Sequence, residues 1–208
     1  MKSFLEFITE GKVINFSNSN EGNFVILMGG PGSGKSKIVE NLINIKNARI
    51  FNVDFEREAT AKRLNLNLNK PEDNDEILKY THASTSPSNR TIKLLKTAII
   101  NSNPDKYLPN IVFDTVGTHV DLIKELISLA KDKGYITTMV LSECDLETAL
   151  ERNRKRERQL ADDVVIDYHN RVKKTFDILF PFYDNAWIVD NSRPFDHKIR
   201  RNIATRIK

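Results

Sequence analysis

Short apolar runs alternate with amphipathic segments along most of the chain. Four runs are typical of buried strands: NFVILMG (23–29), NIVFDTVG (110–117), YITTMVLSE (135–143) and NAWIVDNS (185–192). A fifth candidate, ARIFNVDFE (48–56), ends on acidic residues. Helical spacing of apolar residues follows in four segments, at 35–46, 121–134, 145–159 and 162–184. Strands that alternate with helices predict an α/β fold, a mostly parallel five-stranded sheet with helices on both faces.

The stretch from 57 to 109 interrupts this alternation. It is rich in Asn, Ser, Thr and Lys, with two helical-looking pieces at 75–82 and 89–100. Its apolar content is too thin for a core of its own, so it is interpreted as an insertion between core strands. The predicted organisation is therefore a leader or accessory helix with a linker at 1–22, one domain at 23–192 and a basic tail at 193–208.

Composition narrows the class of protein. The 208 residues suit one domain, and 39% hydrophobic with 29% charged residues is typical of a globular protein. No apolar run approaches the roughly 20 residues of a membrane helix, so no membrane partner is expected. Cys144 is the single cysteine, which excludes an internal disulfide and favours an intracellular setting. A net charge of +4 permits a phosphorylated or nucleic-acid partner without requiring one.

The motif MGGPGSGKS (28–36) carries the clearest chemistry. It fits G-x-x-x-x-G-K-[ST], the phosphate-binding loop of ATP- and GTP-using proteins, and it stands between a predicted strand and a predicted helix as the mechanism requires. Its glycines allow a tight turn that aims N–H groups at an anion, and the following helix adds its positive dipole end. The predicted nucleotide-binding residues are Gly29, Gly30, Gly32, Ser33, Gly34, Lys35, Ser36 and Lys37.

Two aspartates follow predicted strands beside this loop. Asp54 is expected to accept the proton of an attacking hydroxyl, although a helix cap or a pairing with Arg57 is the alternative. Asp114 ends an apolar run, where it would hold Mg²⁺ together with the Ser36 hydroxyl; simple strand termination is its alternative.

The cluster RNRKRER (152–158) is strongly basic. Arg152 and Arg156 are four residues apart on the predicted helix, and Arg158 follows at its end. Arginines at this density repel one another unless an anion binds them, so a lid that covers the transferring phosphoryl group is expected. A solvated helix face is the alternative.

Together, MGGPGSGKS, NVDFER, FDTVG, ALERNRKRER, DDVVIDYHNRV and WIVDNS resemble the small P-loop kinases that include zeta toxins and polynucleotide-kinase-like enzymes. The resemblance covers roughly residues 23–192 and implies a P-loop NTPase fold with an arginine-bearing lid. It implies that Asp54 activates the acceptor, that Arg57 lies at the acceptor site and that Arg152, Arg156 and Arg158 lie on the lid. The 57–109 insertion, where the acceptor would be recognised, matches no member closely, so the resemblance does not imply a particular acceptor.

The N-terminal MKSFLEFITEG (1–11) places Phe4, Leu5 and Ile8 on one face of a short helix. It resembles the capsid-targeting leaders of internal head proteins in T-even-type phages, which are cleaved after such a glutamate. The resemblance implies cleavage between Glu10 and Gly11, head-assembly partners for residues 1–10, and packaging in a virion before action in the host cytoplasm. The alternative is an N-terminal helix that packs on the domain.

The expected function is an ATP- and Mg²⁺-dependent kinase that phosphorylates a hydroxyl of a nucleotide, nucleic acid or nucleotide sugar. A P-loop ATPase or switch without an acceptor and a nucleic-acid-binding virion protein are the alternatives.

Overall fold

The computed structural model describes residues 14–15, 22–41, 43–44, 48–68, 70, 72–73, 76–77, 87–156, 159–192 and 198–202. The described strands are β1 (Ile14–Asn15), β2 (Asn23–Met28), β3 (Ile43–Asn44), β4 (Arg49–Asn52), β5 (Ile111–Thr115), β6 (Ile136–Glu143), β7 (Asn185–Asp190) and β8 (Lys198–Asn202). The described helices are α1 (Lys35–Asn41), α2 (Val53–Leu64), α3 (Pro87–Ile100), α4 (Val120–Asp132), α5 (Leu146–Arg154) and α6 (Asp162–Leu179), with a 3₁₀ turn at Phe180–Phe182.

The main sheet has the strand order β4-β5-β2-β6-β7-β8. Its first five strands are parallel, as predicted, and β2 lies at the centre. The sixth strand, β8, pairs antiparallel with β7 and comes from the segment that the sequence analysis treats as a basic tail. The sequence of Lys198–Asn202 does not predict a strand, because Ile199 is the one apolar residue among the five. A separate pair, β1 with β3, is also parallel.

Strand β2 is buried along its whole length, which indicates layers on both faces of the sheet. Phe24, Ile26 and Met28 belong to the largest core cluster, with residues of α3, α4 and α6. Val25 and Leu27 point to the opposite face and pack with Ile38 of α1. The alternation of a parallel strand thus divides one apolar run between two cores.

Three predicted boundaries need correction. The fifth strand candidate, 48–56, ends at Asn52, and residues from Val53 onward form helix α2. The cause is a cap: the Asn52 side chain accepts a hydrogen bond from the Asp54 backbone N–H at 2.7 Å. Asp54 therefore stands on the first turn of a helix and not on a strand. The predicted helix at 35–46 ends at Asn41, and that at 145–159 ends at Arg154.

Within the insertion, the helix predicted at 89–100 is confirmed as α3. Most of the piece predicted at 75–82 lies outside the described residues. Of the helices that the structure describes, none combines the length and hydropathy that crossing a membrane requires.

Candidate active site

A cavity of about 530 Å³ lies where the carboxyl ends of β2, β4 and β5 meet. In a parallel sheet this edge collects the loops that follow the strands, and it is where such folds bind ligands. The loop after β2 contributes glycines, Lys35 and Ser36, while β4 and α2 contribute Asn52 to Asp54 and Arg57. The remaining walls come from Ile92, from residues 113–119, and from Leu122, Arg156 and Tyr168.

The phosphate-binding loop has the backbone that its sequence predicts. Gly32 and Gly34 have φ angles of 77° and 89°, in the region that favours glycine. A Cβ on Gly32 would lie 2.4 Å from the Ala149 carbonyl oxygen, so helix α5 leaves no room for a side chain there. Lys35 donates from Nζ to the Gly29 carbonyl at 2.6 Å, which folds the lysine over the loop.

Side chains from distant strands hold the loop carbonyls. The Ser33 carbonyl accepts from Ser142 Oγ at 2.8 Å and from Asn191 Nδ2 at 3.0 Å. Arg152 donates to the Gly32 carbonyl at 3.4 Å and to the Asn191 carbonyl at 2.7 Å. We call Ser142, Asn191 and Arg152 the loop clamp. Because C=O and N–H point in opposite directions across one peptide plane, the clamp turns the Gly34 N–H away from itself.

Lys35, Asp114 and Asp54 interact electrostatically. Burial lowers the pKa of Lys35, while Asp114 and then Asp54 oppose this shift. Burial also raises the pKa of Asp114, and Lys35 opposes that shift. Asn52 Nδ2 donates to Asp114 Oδ2 at 2.8 Å and orients the carboxylate. A cation and a carboxylate thus share one partly buried site, where charges interact more strongly than in water.

Asp54 and Arg57 form an ion pair at 3.6 Å on the cavity side of α2. The Asp54 side chain is exposed, whereas Arg57 is largely buried. Asp54 is therefore accessible to a ligand and already has a cation beside it. The pairing with Arg57 was the alternative interpretation of Asp54, and the structure shows this pair inside the cavity.

Two arginines predicted for the lid, Arg152 and Arg156, lie in different places. Arg156 lines the cavity and contributes an electrostatic effect at Lys35. Arg152 does not line it and belongs to the loop clamp. The two do not share a helical face because α5 ends at Arg154. Arg158, the third predicted lid residue, lies outside the described residues.

The other predicted residues divide between the cavity and its surroundings. Gly30, Gly32, Gly34, Ser36 and Asp114 line the cavity, whereas Gly29, Ser33 and Lys37 do not. Five further lining residues and one residue of the loop clamp were not predicted: Asn52, Ile92, His119, Leu122, Tyr168 and, in the clamp, Asn191. Asn191 follows β7 in the run WIVDNS, and a polar residue at a strand's carboxyl end was a usable signal. Ile92, Leu122 and Tyr168 follow helical spacing that core packing alone would explain.

The sequence model of the AAA domain family matches residues 24–179, most of the chain. The chain belongs to this family. Of the parallel strands in the main sheet, the match includes all except β7, and it includes the P-loop, Asp54 and Arg156. The fold is that of P-loop NTPases, and the cavity is a P-loop nucleotide site.

Solved structures agree on the fold. The PezAT toxin–antitoxin system of Streptococcus pneumoniae includes a chain with a TM-score of 0.54 and 17% identity, over 95% of this chain and 77% of that chain. The structure of AvrRxo1-ORF1:AvrRxo1-ORF2 with ATP has a TM-score of 0.55 and 15% identity, over 89% of this chain and 59% of that chain. A protein from Chloroflexus aurantiacus named as a predicted kinase has a TM-score of 0.52 and 13% identity, over 84% of this chain and 91% of that chain. No curated protein matches the sequence significantly.

Proposed function

We propose that this protein is a kinase that transfers the γ-phosphoryl group of ATP to a hydroxyl. The observation that carries the proposal is the position of Asp54: an exposed carboxylate in the same cavity as the P-loop, next to Arg57. An ATPase or switch needs a water-positioning group but no open space beyond it. Here the same cavity is also lined by Ile92 and Leu122, residues outside the P-loop that offer a surface to a second substrate.

In the proposed reaction the acceptor oxygen attacks the γ-phosphorus as the bond to the β–γ bridging oxygen breaks. Asp54 accepts the hydroxyl proton, and ADP leaves with the bridging oxygen. Lys35 and the loop N–H groups bind the phosphates, and Arg156 approaches the transferring group. Arg152 acts through the loop that it holds. These roles are supported by the lining of the cavity and by the electrostatic contacts of Lys35.

The donor set also fits a magnesium ion. Ser36 Oγ and the Asp114 carboxylate line the same cavity, and both are the oxygen ligands that Mg²⁺ prefers. Asn52 fixes one Asp114 oxygen, as an outer partner commonly does for a ligating carboxylate. Bound there, Mg²⁺ would neutralise charge on the β- and γ-phosphates.

Asp54→Asn tests the proposal, because the amide keeps the shape of the carboxylate and cannot take a proton. Transfer of label from γ-labelled ATP to an acceptor panel of nucleosides, nucleotides, oligonucleotides and nucleotide sugars should fall by about 10²-fold or more, while ATP binding persists. Glu58→Gln, one turn along α2 and outside the cavity, is the matched control. Equal transfer by Asp54→Asn and Glu58→Gln would remove Asp54 from the mechanism.

The residues of the N-terminal leader prediction, 1–10, lie outside the described residues. Cleavage after Glu10, head-assembly partners and virion packaging remain proposals. Mass spectrometry of the protein from purified virions tests them, since a leader predicts a new N-terminus at Gly11 and a packed helix predicts Met1.

A further inference from the structure

Four of the apolar residues that line the cavity belong to the largest core cluster or pack against it: Ile92, Phe113, Val116 and Leu122, here called the apolar wall. Phe113 is a buried member of the largest core cluster. The other three pack against that cluster and remain half-buried. The wall is therefore an extension of the core that leaves apolar surface facing the cavity.

The wall adjoins the acceptor side of the site. Ile92 stands on α3, which contacts α2, β4 and α4. Helix α2 carries Asp54 and Arg57, and α4 carries Leu122. Helix α3 thus packs against both the helix that carries the proposed base and the helix that carries Leu122.

ATP phosphates do not account for this surface. They bind N–H groups, Lys35 and Ser36, and an apolar wall offers them nothing. Ligand sites typically combine mostly apolar lining with a few converging polar groups. The pairing of Asp54 and Arg57 with the wall has this composition and fits a ligand other than the phosphates.

We propose that the acceptor is an alcohol attached to an apolar or aromatic ring, and that Ile92 and Leu122 bind this ring and determine acceptor specificity. The inference rests on the proposed kinase function. A ring covers the half-buried apolar surface while its hydroxyl reaches Asp54. A polyol or free sugar would leave that surface uncovered and would lose part of its own hydration without recompense.

Uridine and ribose are suitable probes, because both carry ribose hydroxyls and only uridine carries an aromatic ring. At saturating Mg²⁺ and ATP, wild-type protein should phosphorylate uridine with a kcat/KM at least about tenfold above that for ribose. Leu122→Ala should lower kcat/KM for uridine by about tenfold or more through KM and leave the KM for ATP unchanged. Leu122→Trp should block uridine by filling the space.

Leu129→Ala is the matched control. Leu129 lies on the same helix, is also half-buried and packs against the same core cluster, but it does not line the cavity. Leu129→Ala should lower the melting temperature by about as much as Leu122→Ala does, and it should leave the preference for uridine over ribose intact. If Leu122→Ala and Leu129→Ala have the same kinetics, or if wild-type protein phosphorylates ribose as well as uridine, the wall does not select the acceptor.

A binding measurement separates this inference from the proposed reaction. With a non-hydrolysable ATP analogue bound, the Ile92 δ1-methyl NMR signal should shift on adding uridine and not on adding ribose. Phosphate transfer without this shift overturns the role of the wall and leaves the kinase standing. The shift without transfer to any alcohol overturns the kinase and leaves the wall as a binding surface. If uridine causes no shift and no alcohol is phosphorylated, both the role of the wall and the kinase are overturned.

Discussion

The two ends of the cavity are built in different ways. At the phosphate end, the Ser33 carbonyl is held by Ser142 and Asn191, which are 109 and 158 residues away in sequence. At the proposed acceptor end, Asp54 is held by Asn52 and Arg57, both within three residues. The phosphate-binding loop is therefore held by contacts from across the fold, whereas the proposed base is held by residues at the start of one helix.

Substitutions at the two ends should therefore affect different steps, nucleotide binding at one end and phosphoryl transfer at the other. A change in the loop clamp alters backbone N–H directions and hence nucleotide affinity. A change on α2 alters one carboxylate and hence transfer, with the nucleotide still bound.

Lys35→Ala should abolish most activity. Lys35 lies over the loop through its bond to the Gly29 carbonyl, and the proposed role is to neutralise transferring phosphate. We expect a loss of 10²-fold or more, roughly 3 kcal/mol of transition-state stabilisation. Steady-state phosphate transfer measures it, and Lys93→Ala, an exposed lysine on α3, is the control for lost charge. Near-normal turnover in a folded Lys35→Ala protein contradicts the assignment of the phosphate end.

Asn191→Asp should weaken nucleotide binding by about tenfold or more. The amide donates to the Ser33 carbonyl and to Ser142 Oγ, and a carboxylate oxygen would face that carbonyl instead. Calorimetric titration with ATP gives the affinity. Asn170→Asp, on an exposed face of α6, introduces the same charge without touching the loop. Unchanged ATP affinity in the folded Asn191→Asp protein would show that the clamp does not set the loop geometry.

The magnesium requirement should depend on pH through Asp114. Burial raises the pKa of this carboxyl, so protons compete with Mg²⁺ at a higher pH than at an ordinary aspartate. The Mg²⁺ concentration for half-maximal activity should therefore rise as pH falls toward that raised pKa. Asp114→Asn should raise it several-fold at neutral pH and remove the pH dependence. A requirement that is flat with pH in the wild type argues against Asp114 as the ligand.

Cys144 should give the smallest effect. Burial raises the pKa of its thiol to about 11, and its Sγ lies 3.8 Å from the Gly32 carbonyl oxygen. The thiolate is therefore scarce at neutral pH, and folded protein should react slowly with iodoacetamide, faster as pH rises toward 11. Mass spectrometry of labelled protein follows this. Rapid labelling near pH 8 in the folded state would show that the thiol is more accessible than its buried position beside the loop implies.

Local patterns predicted the phosphate end well. The strand, glycine loop and helix from 23 onward follow from a contiguous apolar run and a motif. The clamp could not be predicted, because Arg152 acts on Gly32 and Asn191 through contacts that only the folded sheet creates. The place of Arg152 in a basic cluster instead favoured its assignment to a lid.

The residues expected to bind the acceptor, Asp54 and Arg57, line the cavity, and their roles stay predictions. Their local structure was not predicted, because Asn52 starts a helix where a strand was expected. Apolar residues in Val53–Leu64 do not recur at helical spacing, so α2 gave no amphipathic signal. Ile92 and Leu122 looked like ordinary core positions, since periodicity identifies the apolar face of a helix but not which residues border a cavity.

The most direct test of the central claim measures ADP and phosphorylated product together, with γ-labelled ATP and each member of the acceptor panel. A kinase predicts that one acceptor raises ADP formation and that labelled product equals the added ADP, mole for mole. ADP formation that no acceptor raises, with all label released as inorganic phosphate, would contradict the account and make the protein an ATPase.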